Sequence, residues 1–298
     1  MNKLLIIGAS GLLGSKLYES CSGNYEVHGT YNGHKSEFKN MHQLDVVKRD
    51  NVFKLFDEVK PDFVIDTHAI SNVDYCELHQ DEAWRINVDG TKNVAEACKI
   101  NGCKLVFIST DYVYDGTKAT SYSEKDKPHP INYYGKTKLI AEKVIETLDL
   151  DYIIARTAVL FGISKSHDKT PFSNWVVDQL KAKKEINVVI DQYSNPTLIN
   201  NLSDAIISLY EKDKGGLFNI AGKDTISRYE FAKIIAKEFD LDERLIKPIT
   251  TSELNQPAKR PQKVALNVSK SEKAAKIKML GVADAVKTFR VEFEKVHK

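Results

Sequence analysis

The sequence predicts an α/β fold, a doubly wound parallel sheet joined to a smaller C-terminal lobe. Two observations carry this expectation: short apolar runs alternate with helical stretches through the first half of the chain, and a glycine-rich turn links the first run to the first helix. Residues 3–8 read as a buried strand, Leu12 to Ser20 as a helix and Tyr25–Tyr31 as the next strand, a βαβ opening. The alternation continues with a helix near Arg49–Val59, the strand Phe63–Asp66, a helix from Glu82 through Ile100 and the strand Lys104–Ser109. A helix from Tyr134 through Thr147 and the strand Tyr152–Thr157 close it. Apolar strands separated by helices form a parallel sheet covered on both faces, so the class is Rossmann-type.

Past residue 158 the pattern loosens. A polar stretch around Gly162–Pro171 precedes a helix near Phe172–Ala182, a short strand Asn187–Ile190 and a helix Arg228–Phe239, and Pro248, Pro257 and Pro261 punctuate the rest. The expected division is a cofactor-binding domain over 1–158, with a returning segment near 191–210, and a mainly substrate-binding lobe over 159–298.

Composition narrows the partners. Lys and Arg total 43 against 41 Asp and Glu, a balance without the basic excess of a nucleic-acid or membrane-surface binder. The apolar run at Leu4–Ile7 is too short for a signal peptide and no later run has the length of a membrane span, so a cytoplasmic protein is expected. Cys21, Cys76, Cys98 and Cys103 lack a paired CxxC spacing and read as ordinary thiols. The scattered histidines form no ligand-spaced cluster, so no metal is expected.

The loop Gly8-Ala9-Ser10-Gly11-Leu12-Leu13-Gly14 follows a strand and opens a helix, the context in which such a loop cradles a pyrophosphate. Its first glycine permits the turn, the second admits the phosphates and the third lets helix and strand pack, with the helix N-terminus favouring the negative charge. Gly8, Ser10, Gly11, Leu12 and Leu13 are therefore expected at a dinucleotide. An NAD-type site usually ends its second strand with an acid for the ribose. Here that end reads Gly29-Thr30-Tyr31-Asn32-Gly33-His34-Lys35, without one. Thr30, Asn32, His34 and Lys35 can instead meet a 2′-phosphate, with Tyr31 also expected at the cofactor, which makes NADPH the expected cofactor, with NADH as the alternative. A solvated loop is the competing reading for His34 and Lys35.

Tyr134 and Lys138, four apart, share a helix face. A tyrosine ordinarily titrates near about 10, so acting near neutral pH costs roughly 4 kcal/mol. A neighbouring ammonium and a bound nicotinamide are expected to supply it. The strand Lys104–Ser109 delivers Ser109 and Thr110 to the carboxyl end of the sheet, where such folds keep their ligands. Thr110, Tyr134 and Lys138 are the expected catalytic group.

The glycine spacing with this Thr–Tyr–Lys set resembles the extended short-chain dehydrogenase/reductase family. The resemblance implies that Asn87 supports a proton relay to Lys138 or the helix geometry, that Asp45 and Val46 meet the adenine, and that Thr67, His68, Ala69 and Ser109 line the cofactor. Within that family, Ser109–Gly116, Tyr134–Lys138, Asp191–Thr197 and Arg260-Pro261 resemble the dTDP-4-dehydrorhamnose reductases. This branch implies reduction of the C4 ketone of a dTDP-4-keto-6-deoxy-hexose to dTDP-L-rhamnose, with Tyr112, Pro196, Thr197 and Arg260 touching the nucleotide sugar and a homodimer as one assembly open to it. Val159 stands where bacterial reductases carry a tryptophan, and Lys16 where some members place an acid for a bridging magnesium. Two rivals share the pattern: a regulatory subunit similar to the methionine adenosyltransferase β subunit, and a nucleotide-sugar epimerase or dehydratase.

Overall fold

The computed structural model describes residues 1–163 and 170–297; part of the polar stretch expected at Gly162–Pro171 lies outside the described residues. Its core is a seven-stranded parallel sheet. Six strands come from the part of the chain up to Thr157: β1 (Lys3–Ile7), β2 (Glu26–Tyr31), β3 (Met41–Gln43), β4 (Phe63–Asp66), β5 (Lys104–Thr110) and β6 (Tyr152–Thr157). The seventh, Gly216–Asn219, pairs with β6, giving the order Gly216–Asn219, β6, β5, β4, β1, β2, β3. The order reverses between β1 and β4, and the carboxyl ends there open the crevice in which such sheets hold ligands.

Alternation along β1 explains the two layers. Leu4 and Ile6 enter a core shared with Leu17 and Leu202, whereas Leu5 and Ile7 enter one shared with Phe56, Val94 and Ile145. Each such side chain contributes roughly 1.5–3 kcal/mol on full burial. The helices covering the sheet include α1 (Leu12–Cys21) and the helix Ile199–Glu211 on one face, and α2 (Arg49–Val59), α5 (Thr91–Asn101) and α6 (Tyr133–Thr147) on the other. A third core, holding Phe161, Leu180, Phe231, Ile235, Phe289 and Phe293, belongs to the C-terminal part.

Three features differ from the sequence expectation. The helix expected from Glu82 through Ile100 is broken into α4 (Gln80–Trp84), a π-turn over Arg85–Gly90 and α5. Between β4 and α4 lies the short helix α3 (Val73–Leu78). The helices Ile199–Glu211 and Val282–Val296 and the strand Gly216–Asn219 do not figure in the sequence reading; neither helix has a side-chain N-cap to signal its start. Among the described residues, no helix is long and apolar enough to cross a membrane, and no group of three or more His, Cys, Asp or Glu could hold a metal ion.

Candidate active site

The glycine loop is built by contacts that only glycine allows. Gly8 has a φ of 81°, and a Cβ on Gly14 would lie 2.2 Å from the Gly8 carbonyl oxygen. Gly11 caps α1 without a side-chain hydrogen bond and no acid occupies the first turn, so the helix offers open N–H groups to an anion. This cradle fits a dinucleotide pyrophosphate. Ser10 and Leu12 are half-buried and Leu13 is buried. Thr30, expected at a 2′-phosphate, instead accepts a hydrogen bond from Gly8 N at 3.0 Å and is 2% exposed, so it shapes the loop from behind. Tyr31 is half-buried, while Asn32, His34 and Lys35 are exposed beyond it. Asp45 accepts from Val47 N at 3.1 Å, and the carbonyl of buried Val46 accepts from Asn93 at 2.9 Å.

At the end of β4, Thr67 Oγ1 donates to the carbonyls of Ile7 (2.8 Å) and Gly8 (3.1 Å). His68 is held at both ring nitrogens, Nδ1 by the fully buried Asp66 and Nε2 by the Ile86 carbonyl at 3.0 Å, and half-buried Ala69 follows it. Asn87 sits in the π-turn, a local irregularity common at functional sites. Its Oδ1 accepts from Ile70 N at 2.8 Å, and its Nδ2 donates to Ile70 O and Thr137 Oγ1, each at 3.1 Å. The amide is thereby spent on clamping the loop after β4 to α6. Of the two roles considered for Asn87, this geometry matches the support of helix position.

Residue size places Tyr134. Asn132 caps α6 by accepting from Gly135 N at 2.9 Å, and a Cβ on Gly135 would lie 2.1 Å from the Tyr112 carbonyl oxygen. Only glycine lets α6 come this close to the turn Asp111–Val113 at the end of β5. Tyr134 then faces Thr110, and its ring meets Tyr112 edge-on at 6.2 Å between centroids. One turn further on, the buried Lys138 ammonium lies 3.9 Å from the centroid of Phe107. Burial lowers Lys138 to about 8, opposed by the charges of Asp66 and Glu142. Burial pushes the Tyr134 phenol up; the Thr110 bond opposes this and Asp111 adds to it. The Lys138 ammonium lies against the Phe107 face, in the field of the Asp66 and Glu142 carboxylates.

Beneath these residues lies a buried network absent from the sequence reading. Arg156 donates to both Glu142 oxygens, at 2.9 and 2.5 Å, and to the Tyr114 hydroxyl at 2.7 Å. Ser109, expected to line the cofactor, donates to Glu142 Oε1 at 2.5 Å, so its hydroxyl belongs to this network. The available signal was a charge closing the apolar run Ile153-Ile154-Ala155, since charged residues are rarely buried unless paired.

The opposite wall comes from the C-terminal part. Arg260 makes a two-pronged ion pair with Asp74 at 3.0 and 2.8 Å, with Tyr112 in its field. Arg228, the first residue of the helix Arg228–Glu238, sets its charge beside Tyr112 and lies 5.2 Å from the Phe172 ring centroid; sequence reasoning did not single it out. Pro196 and Thr197, expected to touch the sugar nucleotide, are packing residues. Thr197 is fully buried, donating to Asn195 O at 2.8 Å and accepting from Gly222 N at 3.0 Å, and a Cβ on Gly222 would meet the Pro196 carbonyl at 2.0 Å. Val159 has a φ of 38°, a strained backbone for a β-branched residue. Lys16 pairs with Glu292 at 3.3 Å.

Comparison with known proteins matches this arrangement over nearly the whole chain. Residues 1–294 fit the family described as RmlD substrate binding domain. The dTDP-4-dehydrorhamnose reductase of Aggregatibacter actinomycetemcomitans is 31% identical over 99% of this chain and 100% of its own length. The β subunit of Bos taurus methionine adenosyltransferase 2 is 31% identical over 91% of this chain and 81% of its own. Among solved structures, the dTDP-4-dehydrorhamnose reductase of Bacillus anthracis in complex with NADP superimposes with a TM-score of 0.89 at 29% identity, covering 98% of this chain and 100% of that one. The chain described here belongs to the RmlD substrate binding domain family.

Proposed function

We propose that this protein is an NADPH-dependent reductase that transfers a hydride to the C4 ketone of a dTDP-4-keto-6-deoxy-hexose, giving dTDP-L-rhamnose. The observation that carries the reading is the placing of Tyr134 beside Thr110 at the carboxyl edge of the sheet, one helical turn from buried Lys138. Full-length similarity to a dTDP-4-dehydrorhamnose reductase supports the substrate class. NADPH, when bound, would supply the hydride. The Gly8–Gly14 loop and the open first turn of α1 hold its pyrophosphate, and exposed His34 and Lys35, just beyond β2, meet its 2′-phosphate. Lys138 binds the nicotinamide ribose, Thr110 polarises the ketone and Tyr134 protonates the forming alkoxide. Tyr112, in the turn after β5, and Arg260, from the C-terminal part, contact the sugar nucleotide.

The test is spectrophotometric. NADPH absorbance should fall only when a dTDP-4-keto-6-deoxy sugar is present, with dTDP-L-rhamnose as product. Sugar turnover with no net change in cofactor would replace reduction by epimerisation or dehydration. A second reading, a regulatory subunit, is favoured by the similarity to the Bos taurus methionine adenosyltransferase 2 β subunit. Co-purification with a methionine adenosyltransferase catalytic subunit, without any keto-sugar reduction, would establish it.

A further inference from the structure

On the side away from Lys138, Tyr134 faces a hydroxyl that is itself bonded to a buried carboxyl. Its phenol meets Thr110, and Thr110 Oγ1 lies 3.1 Å from Asp111 Oδ1. The Tyr112 amide donates to Thr110 Oγ1 at 3.2 Å and fixes that hydroxyl in place. Asp111 is 3% exposed, and its Oδ2 is buried without a hydrogen-bond partner among the described residues. An unpartnered buried oxygen is costly in a carboxylate and tolerable in a neutral carboxyl.

We propose that Asp111 is the proton store of the reaction, reloading Tyr134 through the Thr110 hydroxyl. The inference rests on the reduction proposed above. Once Tyr134 has protonated the alkoxide, Thr110 passes its hydroxyl proton to the phenolate and takes one from the Asp111 carboxyl. The O–H bonds of Asp111 and Thr110 break, those of Thr110 and Tyr134 form, and one negative charge moves from the phenolate to Asp111 with no electron transferred. The groups facing Asp111 are Thr110 and Tyr112 of its own turn, Tyr134 from α6 and Arg228 from the helix Arg228–Glu238. Burial raises the Asp111 carboxyl to about 7 while Arg228 pulls it down. The store is therefore loaded below about pH 7 and empties above it.

Turnover against pH, with cofactor and keto-sugar saturating, tests this. In the wild type kcat should fall as pH rises through about 7. Asp111→Asn should lower kcat on the order of 10²-fold and flatten that fall, with the KM for sugar little changed. Arg228→Gln should move the fall to higher pH, because the charge that lowers Asp111 is gone. An Asp111→Asn protein that keeps wild-type kcat and the wild-type pH limb overturns the proposal. Melting gives a readout independent of activity. A carboxyl raised on folding contributes stability that is full below its unfolded value and is lost as pH rises through its folded one. Asp111→Asn should therefore melt above the wild type beyond about pH 7, with the difference shrinking as pH falls. A difference that does not vary with pH overturns the store. A pH-dependent difference with no keto-sugar reduction in the wild type upholds a protonated Asp111 and overturns the reduction.

Discussion

Two clusters of buried polar groups flank Tyr134 and differ in how fully they are satisfied. On the sheet side, both Glu142 oxygens take donors, from Ser109 and from two nitrogens of Arg156. On the cleft side, Asp111 has one oxygen bonded to Thr110 and the other without a partner among the described residues. A fully partnered buried ion pair fixes geometry. A buried carboxyl left short of donors keeps its proton near neutral pH and can give it up, the property expected of a group that works rather than braces.

The contrast can be broken in four places, from the largest expected effect to the smallest. Tyr134→Phe should cut turnover by about 10²–10⁴-fold while NADPH affinity, followed by fluorescence titration, stays near the wild-type value. A fully active variant would remove Tyr134 from the mechanism. Glu142→Ala should destabilise the fold by about 3–5 kcal/mol in urea denaturation, because Arg156 is left charged and uncompensated in the core. A loss near zero would mean that the sheet-side cluster does not brace the site. Gly135→Ala should cost roughly 1–3 kcal/mol by overpacking against the Tyr112 carbonyl, and should lower turnover more than cofactor affinity as Tyr134 moves off Thr110. Glu58→Gln, which removes the exposed Lys54–Glu58 pair of α2, should leave the melting midpoint within the scatter of surface substitutions.

Much of the sheet was legible because its strands are continuous apolar runs with turn signals between them; β4 and β6 fall where the pattern places them. The approach of Tyr134 to Thr110 was legible too, since spacing puts Tyr134 and Lys138 on one helical face and the carboxyl end of β5 beside them. The π-turn was not, because a single widened turn leaves the apolar spacing of Glu82–Ile100 almost unchanged. The strand Gly216–Asn219 is four residues long and follows a glycine, too little pattern to stand out from a loop. Hydroxyls and charges were the hardest to place. Nothing in the sequence says that Thr30 faces Gly8, that Ser109 faces Glu142 or that Thr197 faces Gly222, since those partners come from distant segments. Arg228 reaches Tyr112 only because two segments more than a hundred residues apart fold onto one cleft.

Asn132 uses one amide in two directions: its oxygen caps α6 at Gly135 and its nitrogen holds the Lys259 carbonyl at 3.0 Å. The neighbouring Arg260 closes on Asp74, in the first turn of α3. For recombination between relatives, the short segment around Lys259–Arg260 travels with the catalytic helix and not with the lobe around it. A chimera that exchanges the C-terminal third but alters these residues would keep its seven strands and lose the angle at which Tyr134 is presented.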